Sequence, residues 1–225
     1  LNTRLDRCGV EPGNKALELA QLVDSLPSVS FTGLMAYEGC LLHENYDDLV
    51  KETHEVMRPV LETKDILINA GLEVGTVSVG GTHNYEIAGA IEGITEIQAG
   101  SYIVSDNSYR TYRPSLVPSL TVLATIISNP EPTVVVADAG HKAVGADQHM
   151  PLVEDIPGAT VVRCSAEHGK IELSDESLGT LDLGDKVRLT PYDAETCMNL
   201  YNFLNVIRDG KLEAIWDISA RGMYD

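Results

Sequence analysis

The hydrophobic pattern of this chain changes near residue 113, and that change limits the folds it can adopt. Before this point, strand-like runs alternate with amphipathic helical segments. Such alternation implies parallel strands covered by helices. From Pro114 onward the apolar runs are short and are separated by Gly, Pro, Asp or Asn. This second pattern is typical of an antiparallel β-domain. The sequence therefore predicts two domains, 1–113 and 114–225.

The first domain is expected to form half of a barrel, because it holds only two or three strand–helix units. Its longest helix, 46–70, is expected to be interrupted near Pro59 and to stop at Gly71. The fold class predicted is an α/β barrel, partial in this chain, plus an antiparallel β-domain. The other elements predicted for the first domain are strands at 1–5, 31–37, 74–79 and 95–97 and helices at 14–26 and 85–91. Those predicted for the second are strands at 120–127, 133–137, 159–164, 170–173, 186–189, 203–208 and 214–218.

The charge balance excludes several classes of partner. The chain carries 16 Lys and Arg against 34 Asp and Glu, a net charge of −18. Nucleic acids and anionic lipids bind proteins with a surplus of basic residues.

No run of the sequence approaches the roughly 18 apolar residues of a membrane span. The four cysteines are widely spaced and match no metal motif or disulfide scaffold. We expect a cytoplasmic protein that binds neither nucleic acid nor membranes.

Two small-residue turns are candidates for a phosphate site. Gly80-Gly81-Thr82 follows a predicted strand and opens a predicted helix, and Ala99-Gly100-Ser101-Tyr102 follows the next strand. Glycine lets a backbone approach a ligand, and amides at a helix start suit a phosphate. A tight strand–helix connection explains either turn equally well when it is taken alone. Together they are predicted to converge on one phosphate at the C-terminal face of a barrel.

Three further positions carry chemistry, each with an ordinary alternative. Asp193 and Glu195 would share one face of an extended segment and could bind a hard cation, although solvated surface acids are commoner. His168, next to Glu167, could transfer protons near neutral pH, although an exposed histidine is often incidental. Tyr37 ends a predicted strand and could lie against an aromatic ligand, whereas most tyrosines only pack.

Eight segments, in this order along the chain, carry a family resemblance: TRLDRCGV, FTGLMAYEG, VSVGGTHNY, EIQAGSY, VVADAGHKAVGAD, SAEHGK, GDKVRLTPYDAETCMNLYN and VIRDGKLEAIWDISARG. They resemble the fold-type III enzymes that use pyridoxal 5'-phosphate (PLP), specifically the D-threonine aldolase and D-serine dehydratase family. The resemblance implies an alanine-racemase-like barrel joined to a β-domain. It also implies a homodimer in which each β-domain completes the partner's active site.

The resemblance also implies roles for individual residues. Arg7 corresponds to an arginine near the phenolic oxygen of PLP, and Tyr37 to the residue stacked near its pyridine ring. Gln98 falls where alanine racemase has an arginine facing the pyridine nitrogen, so that nitrogen is expected to stay unprotonated. The phosphate and its surroundings are implied to be held by the two turns, through Gly81, Thr82, Gly100, Ser101 and Tyr102.

Two departures from the family pattern affect the expected chemistry. Asp193 and Glu195 align with metal ligands that are His plus Cys or Asp in the family, and carboxylates there favour Mg²⁺ or Mn²⁺ over Zn²⁺. The lysine that forms the Schiff base with PLP lies on the first barrel strand in the family. None of the seven lysines of this chain lies in that context. We therefore expect the chain to be the C-terminal portion of a longer enzyme.

The function implied is PLP- and metal-dependent cleavage of β-hydroxy D-amino acids. In such a retro-aldol reaction the substrate breaks to glycine and an aldehyde, and His168 and Tyr37 are the candidate catalytic residues. Three alternatives stay open at this point. They are elimination to a keto acid and ammonia, a PLP-binding protein without catalysis, and a β-domain that serves only as an interaction module.

Overall fold

The structure of the protein, a computed structural model, describes residues 1–223. They divide into two compact units. The first consists of Leu1–Tyr102 with Thr111–Arg113, and the second consists of Ile103–Arg110 with the residues from Pro114 onward. No helix within residues 1–223 is both long and apolar enough to cross a membrane.

The first unit contains a three-stranded parallel sheet in the order β1-β2-β3. Leu34 pairs with Val77, and Ser78 pairs with Glu96. This strand–helix alternation confirms the expected partial α/β barrel. The elements in chain order are α1 (Asn14–Ser25), β1 (Gly33–Met35), α2 (Tyr46–Asn69), β2 (Thr76–Val79), α3 (Tyr85–Gly89) and β3 (Glu96–Ile97).

Helix α2 covers the sheet because its apolar residues recur at helical spacing. Leu49, Val56 and Val60 are buried on one face and pack in the same core as Val77 and Val79 of β2. Burial of a side chain of this size stabilises the folded state by about 1.5–3 kcal/mol. The packing of α2 therefore fixes the strands whose ends carry the candidate site residues.

Two local predictions were wrong. Helix α2 runs without a break through Pro59, because both halves of the helix pack against the core and this packing outweighs the loss of one hydrogen bond at proline. Residues 1–5 form no strand. The backbone turns there instead, with left-handed φ angles of 68° at Arg4 and 51° at Asp6, and the amide of Asn2 donates to the carbonyl of Val10.

The second unit is antiparallel throughout its paired strands, which confirms the predicted β-domain. Six strands form a sheet in the order β6-β9-β4-β5-β8-β7, and β10 and β11 form a hairpin. Its core includes Ile126, Val135 and Ile171 on the buried face of the sheet. Its elements are β4 (Val122–Glu131), β5 (Val134–Ala137), α4 (His141–Val144), β6 (Leu152–Val153), β7 (Ala159–Cys164), β8 (Gly169–Leu173), β9 (Lys186–Thr190), α5 (Ala194–Met198), β10 (Phe203–Arg208) and β11 (Lys211–Asp217).

The segment Ile103–Arg110 belongs to the second unit, whereas the sequence pattern assigns it to the first domain. The amides of Asn107 and Ser108 donate to the carbonyls of Pro191 and Tyr192, both at 3.1 Å. These hydrogen bonds join residues far apart in sequence, so no local pattern could reveal them.

Gly33 is required where β1 meets β2. A Cβ at this position would lie 2.0 Å from the carbonyl oxygen of Thr76, whereas one at nearby Gly75 would lie 3.5 Å from its nearest neighbour. We expect Gly33→Ala to lower the free energy of unfolding by about 1–3 kcal/mol, because the strands must separate. Gly75→Ala is the matched control and should change it by about 0.5 kcal/mol or less. Chemical denaturation measures both, and equal losses would contradict this account of the strand contact.

Candidate active site

Tyr37 lies just after β1, half-buried, between Arg7 and His83. The guanidinium carbon of Arg7 lies 5.3 Å from the centroid of the Tyr37 ring. The rings of Tyr37 and His83 meet edge to face, with centroids 6.2 Å apart. The hydroxyl of Thr3 donates to the carbonyl of Tyr37 at 3.0 Å. The structure thus brings together Arg7 and Tyr37, two of the residues singled out from the sequence.

The two small-residue turns touch each other. The main-chain amide of Tyr102 donates to the hydroxyl oxygen of Thr82 at 3.2 Å. Thr82 is buried, whereas Gly100 faces open space, with no atom within 4 Å of where a Cβ would stand. Ser101 begins a short 3-10 helix, Ser101–Ile103. Turns separated by about one strand–helix unit therefore form one local surface.

Gly81 contributes space, and its amide is already used inside the protein. The amide donates to the side-chain oxygen of Asn84 at 3.0 Å. A Cβ at this position would lie 3.0 Å from both Tyr37 and His83. Helix α3 begins at Tyr85, where the sequence pattern predicts it. The hydrogen bond from Gly81 to the side chain of Asn84 closes the turn just before this helix.

Gln98 ties together the ends of two strands. Its side-chain nitrogen donates to the carbonyls of Ala36 at 3.2 Å and Ser78 at 2.9 Å. Both partners are acceptors, so the NH₂ group must face them. The main-chain amide of Gln98 also donates to Val79. Gln98 therefore holds the strand ends on either side of it in register.

A buried polar cluster lies behind the turns, and none of its members was a site residue predicted from the sequence. The side-chain nitrogen of Asn84 donates to Glu38 at 2.6 Å and to Thr53 at 3.4 Å. Glu38, Thr53, His83 and Asn84 are each no more than 2% exposed. An acid that directly follows the predicted strand 31–37, as Glu38 does in the run AYEG, is the sequence signal that could have indicated the cluster.

Burial shifts the two titratable groups of this cluster toward their neutral forms. It raises the pKa of Glu38, although hydrogen bonds from Asn84 and from main-chain amides oppose the shift. Burial lowers the pKa of His83 to about 4, and the positive charge of Arg113 adds to this effect. Within the described residues, Oε2 of Glu38 and Nε2 of His83 have no hydrogen-bond partner. Burial therefore favours the uncharged form of both groups, and a pKa of about 4 leaves His83 neutral near pH 7.

In the second unit, Asp193 caps helix α5. One carboxylate oxygen accepts from the amide of Thr196 at 2.9 Å, and the other accepts from Gln148 at 2.7 Å. Glu195 lies in the first turn of the helix and is exposed. The extended segment that would place Asp193 and Glu195 on one face does not form, because the Asp-x-x-Thr cap starts a helix. Across residues 1–223, no group of three or more His, Cys, Asp or Glu is arranged to hold a metal ion.

His168 lies in the exposed turn between β7 and β8. Its carbonyl accepts from the amide of Ser165 at 2.9 Å. The neighbouring Glu167 is paired with Lys142 at 2.7 Å. The acid next to His168 is therefore engaged by a lysine on α4.

Comparison with known families gives the class of protein. Residues 1–108 match the family described as "Alanine racemase, N-terminal domain", and residues 119–207 match "Putative serine dehydratase domain". A racemase-type barrel followed by a dehydratase-type β-domain is the organisation of fold-type III PLP enzymes. The chain is a member of that class.

Individual relatives narrow the family. The chain is 36% identical over 221 residues to a D-threonine aldolase from Arthrobacter sp and 31% identical over 226 residues to a 3-hydroxy-D-aspartate aldolase from Paracoccus denitrificans. Each alignment covers 96% of this chain and 58% of the relative, so the chain spans little more than half of their length. The chain belongs to the D-threonine aldolase-like family.

Solved structures agree with this assignment. The crystal structure of D-threonine aldolase from Filomicrobium marinum matches with a TM-score of 0.93 at 31% identity, covering all of this chain and 62% of that one. D-threo-3-hydroxyaspartate dehydratase from Delftia sp. HT23 matches with a TM-score of 0.79 at 21% identity over 96% of this chain and 63% of that one, which shows a shared fold.

The neutral state of His83 predicts an acid-sensitive contribution to stability. Its pKa is 6.5 when unperturbed and about 4 in the fold, so the unfolded chain binds the proton first as the pH falls. In the wild type we expect the free energy of unfolding to fall by at most about 1.4 kcal/mol per pH unit from pH 6.5 toward 4. His83→Gln should remove this fall. Urea denaturation at several pH values measures the difference between wild type and variant.

Glu38 supplies the opposite sign as a control. Its pKa is raised in the fold, so protonation of Glu38 as the pH falls favours the folded state. Glu38→Gln removes this contribution, and the free energy of unfolding should then fall more steeply with acidification than in wild type. Parallel pH profiles for wild type and His83→Gln would show that the buried histidine does not stay neutral.

Proposed function

We propose that the protein containing this chain is a PLP- and divalent-metal-dependent lyase. It would cleave β-hydroxy D-amino acids to glycine and an aldehyde. The observation that carries this proposal is the hydrogen bond from Tyr102 to Thr82, which joins the two candidate phosphate turns. The aldolase names of relatives at or above 30% identity support the choice of reaction.

The residues of the first unit fit the cofactor. The oxygen of Thr82 accepts from the Tyr102 amide, so its hydroxyl hydrogen is left to donate to a phosphate oxygen. Gly100 leaves room for that phosphate, and Gly81 leaves room for the Tyr37 ring. Ser101, at the start of its 3-10 helix, adds a second hydroxyl beside the same turn.

Tyr37 and Arg7 fit the other end of the cofactor. We assign the face of Tyr37 to the pyridine ring and Arg7, 5.3 Å from the Tyr37 ring, to the phenolic oxygen. We assign Gln98 a place beside the pyridine nitrogen, since its side chain is already fixed by two carbonyls. When bound, PLP accepts the electrons released as the bond between Cα and Cβ breaks.

His168 is the proposed base for the β-hydroxyl proton. An imidazole exchanges protons near neutral pH, and the exposed turn that holds His168 leaves the ring accessible. The reaction needs this proton removed as the carbonyl of the aldehyde forms.

The proposal also includes a cytoplasmic homodimer. Four cysteines without disulfides, Cys8, Cys40, Cys164 and Cys197, support a reducing compartment.

Asp193 and Glu195 are the proposed ligands of the divalent cation. Two carboxylates are hard donors, which supports Mg²⁺ or Mn²⁺ over Zn²⁺. They do not complete a coordination shell, since the described residues 1–223 bring no third His, Cys, Asp or Glu to them.

The reaction is tested with the full-length protein, PLP and Mg²⁺ or Mn²⁺. We expect D-threonine or D-3-hydroxyaspartate to yield glycine and an aldehyde in equal amounts, with no reaction of L-threonine. Chromatography of amino acids and an aldehyde assay measure the products. Ammonia and a keto acid would instead identify the elimination, and PLP absorbance without either product would identify a non-catalytic binder.

The metal site is tested by removing its two charges. We expect Asp193→Asn with Glu195→Gln to weaken Mn²⁺ binding by about tenfold or more, a loss of about 1.4 kcal/mol. Electron paramagnetic resonance of free Mn²⁺ measures the affinity. The exposed pair Asp175→Asn with Glu176→Gln is the matched control and should leave it unchanged. Equal effects of both pairs would refute a site at the cap of α5.

A further inference from the structure

Asn84 closes the Gly80-Gly81-Thr82 turn from inside the protein. Its side-chain oxygen accepts from the main-chain amide of Gly81 at 3.0 Å, and its main-chain amide donates to the carbonyl of Gly81 at 3.2 Å. The residue is fully buried. Two hydrogen bonds between the same two residues fix the conformation of the turn that presents Thr82.

The other end of the Asn84 side chain is anchored on Glu38 and Thr53. The side-chain nitrogen donates to Glu38 at 2.6 Å and reaches Thr53 of α2 at 3.4 Å. Each polar atom of the amide is therefore paired. Glu38 directly follows Tyr37, so one buried amide links the end of β1 to the glycine turn.

A continuous path of hydrogen bonds thus joins three parts of the candidate site. It runs from Glu38 to Asn84, from Asn84 to Gly81, and through the next residue, Thr82, to the amide of Tyr102. A buried polar group left without a partner costs about 1–3 kcal/mol, so the path resists rearrangement.

We propose that Asn84, anchored by Glu38, is the positioning residue of the phosphate subsite: it sets the direction of the Thr82 hydroxyl without itself touching the ligand. This inference rests on the proposed function for the identity of the ligand, PLP. It deepens that function by separating residues that touch the phosphate from residues that orient them.

The carboxyl of Glu38 suits this role. Its Oε1 atom accepts from Asn84 at 2.6 Å, and burial raises the pKa of the carboxyl, which favours the neutral form behind a phosphate site. Glutamine has the same shape, is neutral and keeps the accepting oxygen. Glu38→Gln is therefore expected to preserve the anchor, whereas Asn84→Asp replaces the donor with an oxygen that faces the oxygen of Glu38.

The test compares PLP with pyridoxal, which lacks the phosphate, on the full-length apoprotein. We expect Asn84→Asp to weaken PLP binding by about tenfold or more and pyridoxal binding by less than about twofold. Asn69→Asp makes the same chemical change at the exposed end of α2, and this matched control should leave both affinities unchanged. The exchange Glu38→Gln with Asn84→Asp restores a donor opposite an acceptor, and it should recover most of the PLP affinity. Fluorescence titration measures each dissociation constant.

The phosphorus resonance of bound PLP supplies a second measurement, since a misplaced Thr82 hydroxyl should shift it. If Asn84→Asp lost equal affinity for PLP and pyridoxal, or lost affinity for neither, the inference would be overturned. PLP binding by the wild type would in that case still support the proposed function. Failure of the wild type to bind PLP would overturn both. If circular dichroism shows that Asn84→Asp does not fold, Asn84→Ala takes its place with the same expected discrimination.

Discussion

Parallel pairing of β1, β2 and β3 is the constraint on which the candidate active site depends. Hydrogen-bonded parallel strands end at the same edge of a sheet. Tyr37 follows β1, Gly81 follows β2 and Gln98 follows β3. Residues from three distant segments therefore become neighbours as a consequence of strand direction alone. Gln98 then ties the ends of β1 and β2 together by its side-chain amide.

The buried titratable residues behind that edge of the sheet suit an anionic ligand, although the protein as a whole is acidic. A net charge of −18 makes an additional buried negative charge unfavourable for phosphate binding. Burial favours the neutral forms of Glu38 and His83, in one case by raising the pKa and in the other by lowering it to about 4. The residue of the cluster that bonds the turn directly, Asn84, is itself uncharged. Removing a buried polar partner would leave another one unpaired, so the members depend on each other.

In the β-domain, hydrogen bonds at the start of α5 position the acidic residues Asp193 and Glu195. Asp193 begins α5 as a cap, and buried Asp106 accepts from the amide of Ala194 at 2.9 Å. Asp106 also holds the turn at Ser108, so one carboxylate joins the segment 106–108 to the start of α5. The exposed carboxylate of Glu195 is thereby presented from a fixed helix rather than from a free loop. The domain order alone, an α/β segment before a β-rich one, contains no hint of this connection.

The sequence by itself determined the class of fold, most of the strands and the residues that carry the family resemblance. These follow from local spacing: apolar residues such as Leu49, Val56 and Val60 recur at helical intervals, and the glycine turns follow apolar strands. Only the tertiary structure decided that α2 continues through Pro59, that Asp106 is joined to the start of α5, and that Asn84 is linked to Glu38. Each of these depends on hydrogen bonds or packing between distant segments, or on the balance between a local preference and that packing. Such information is absent from any short window of sequence.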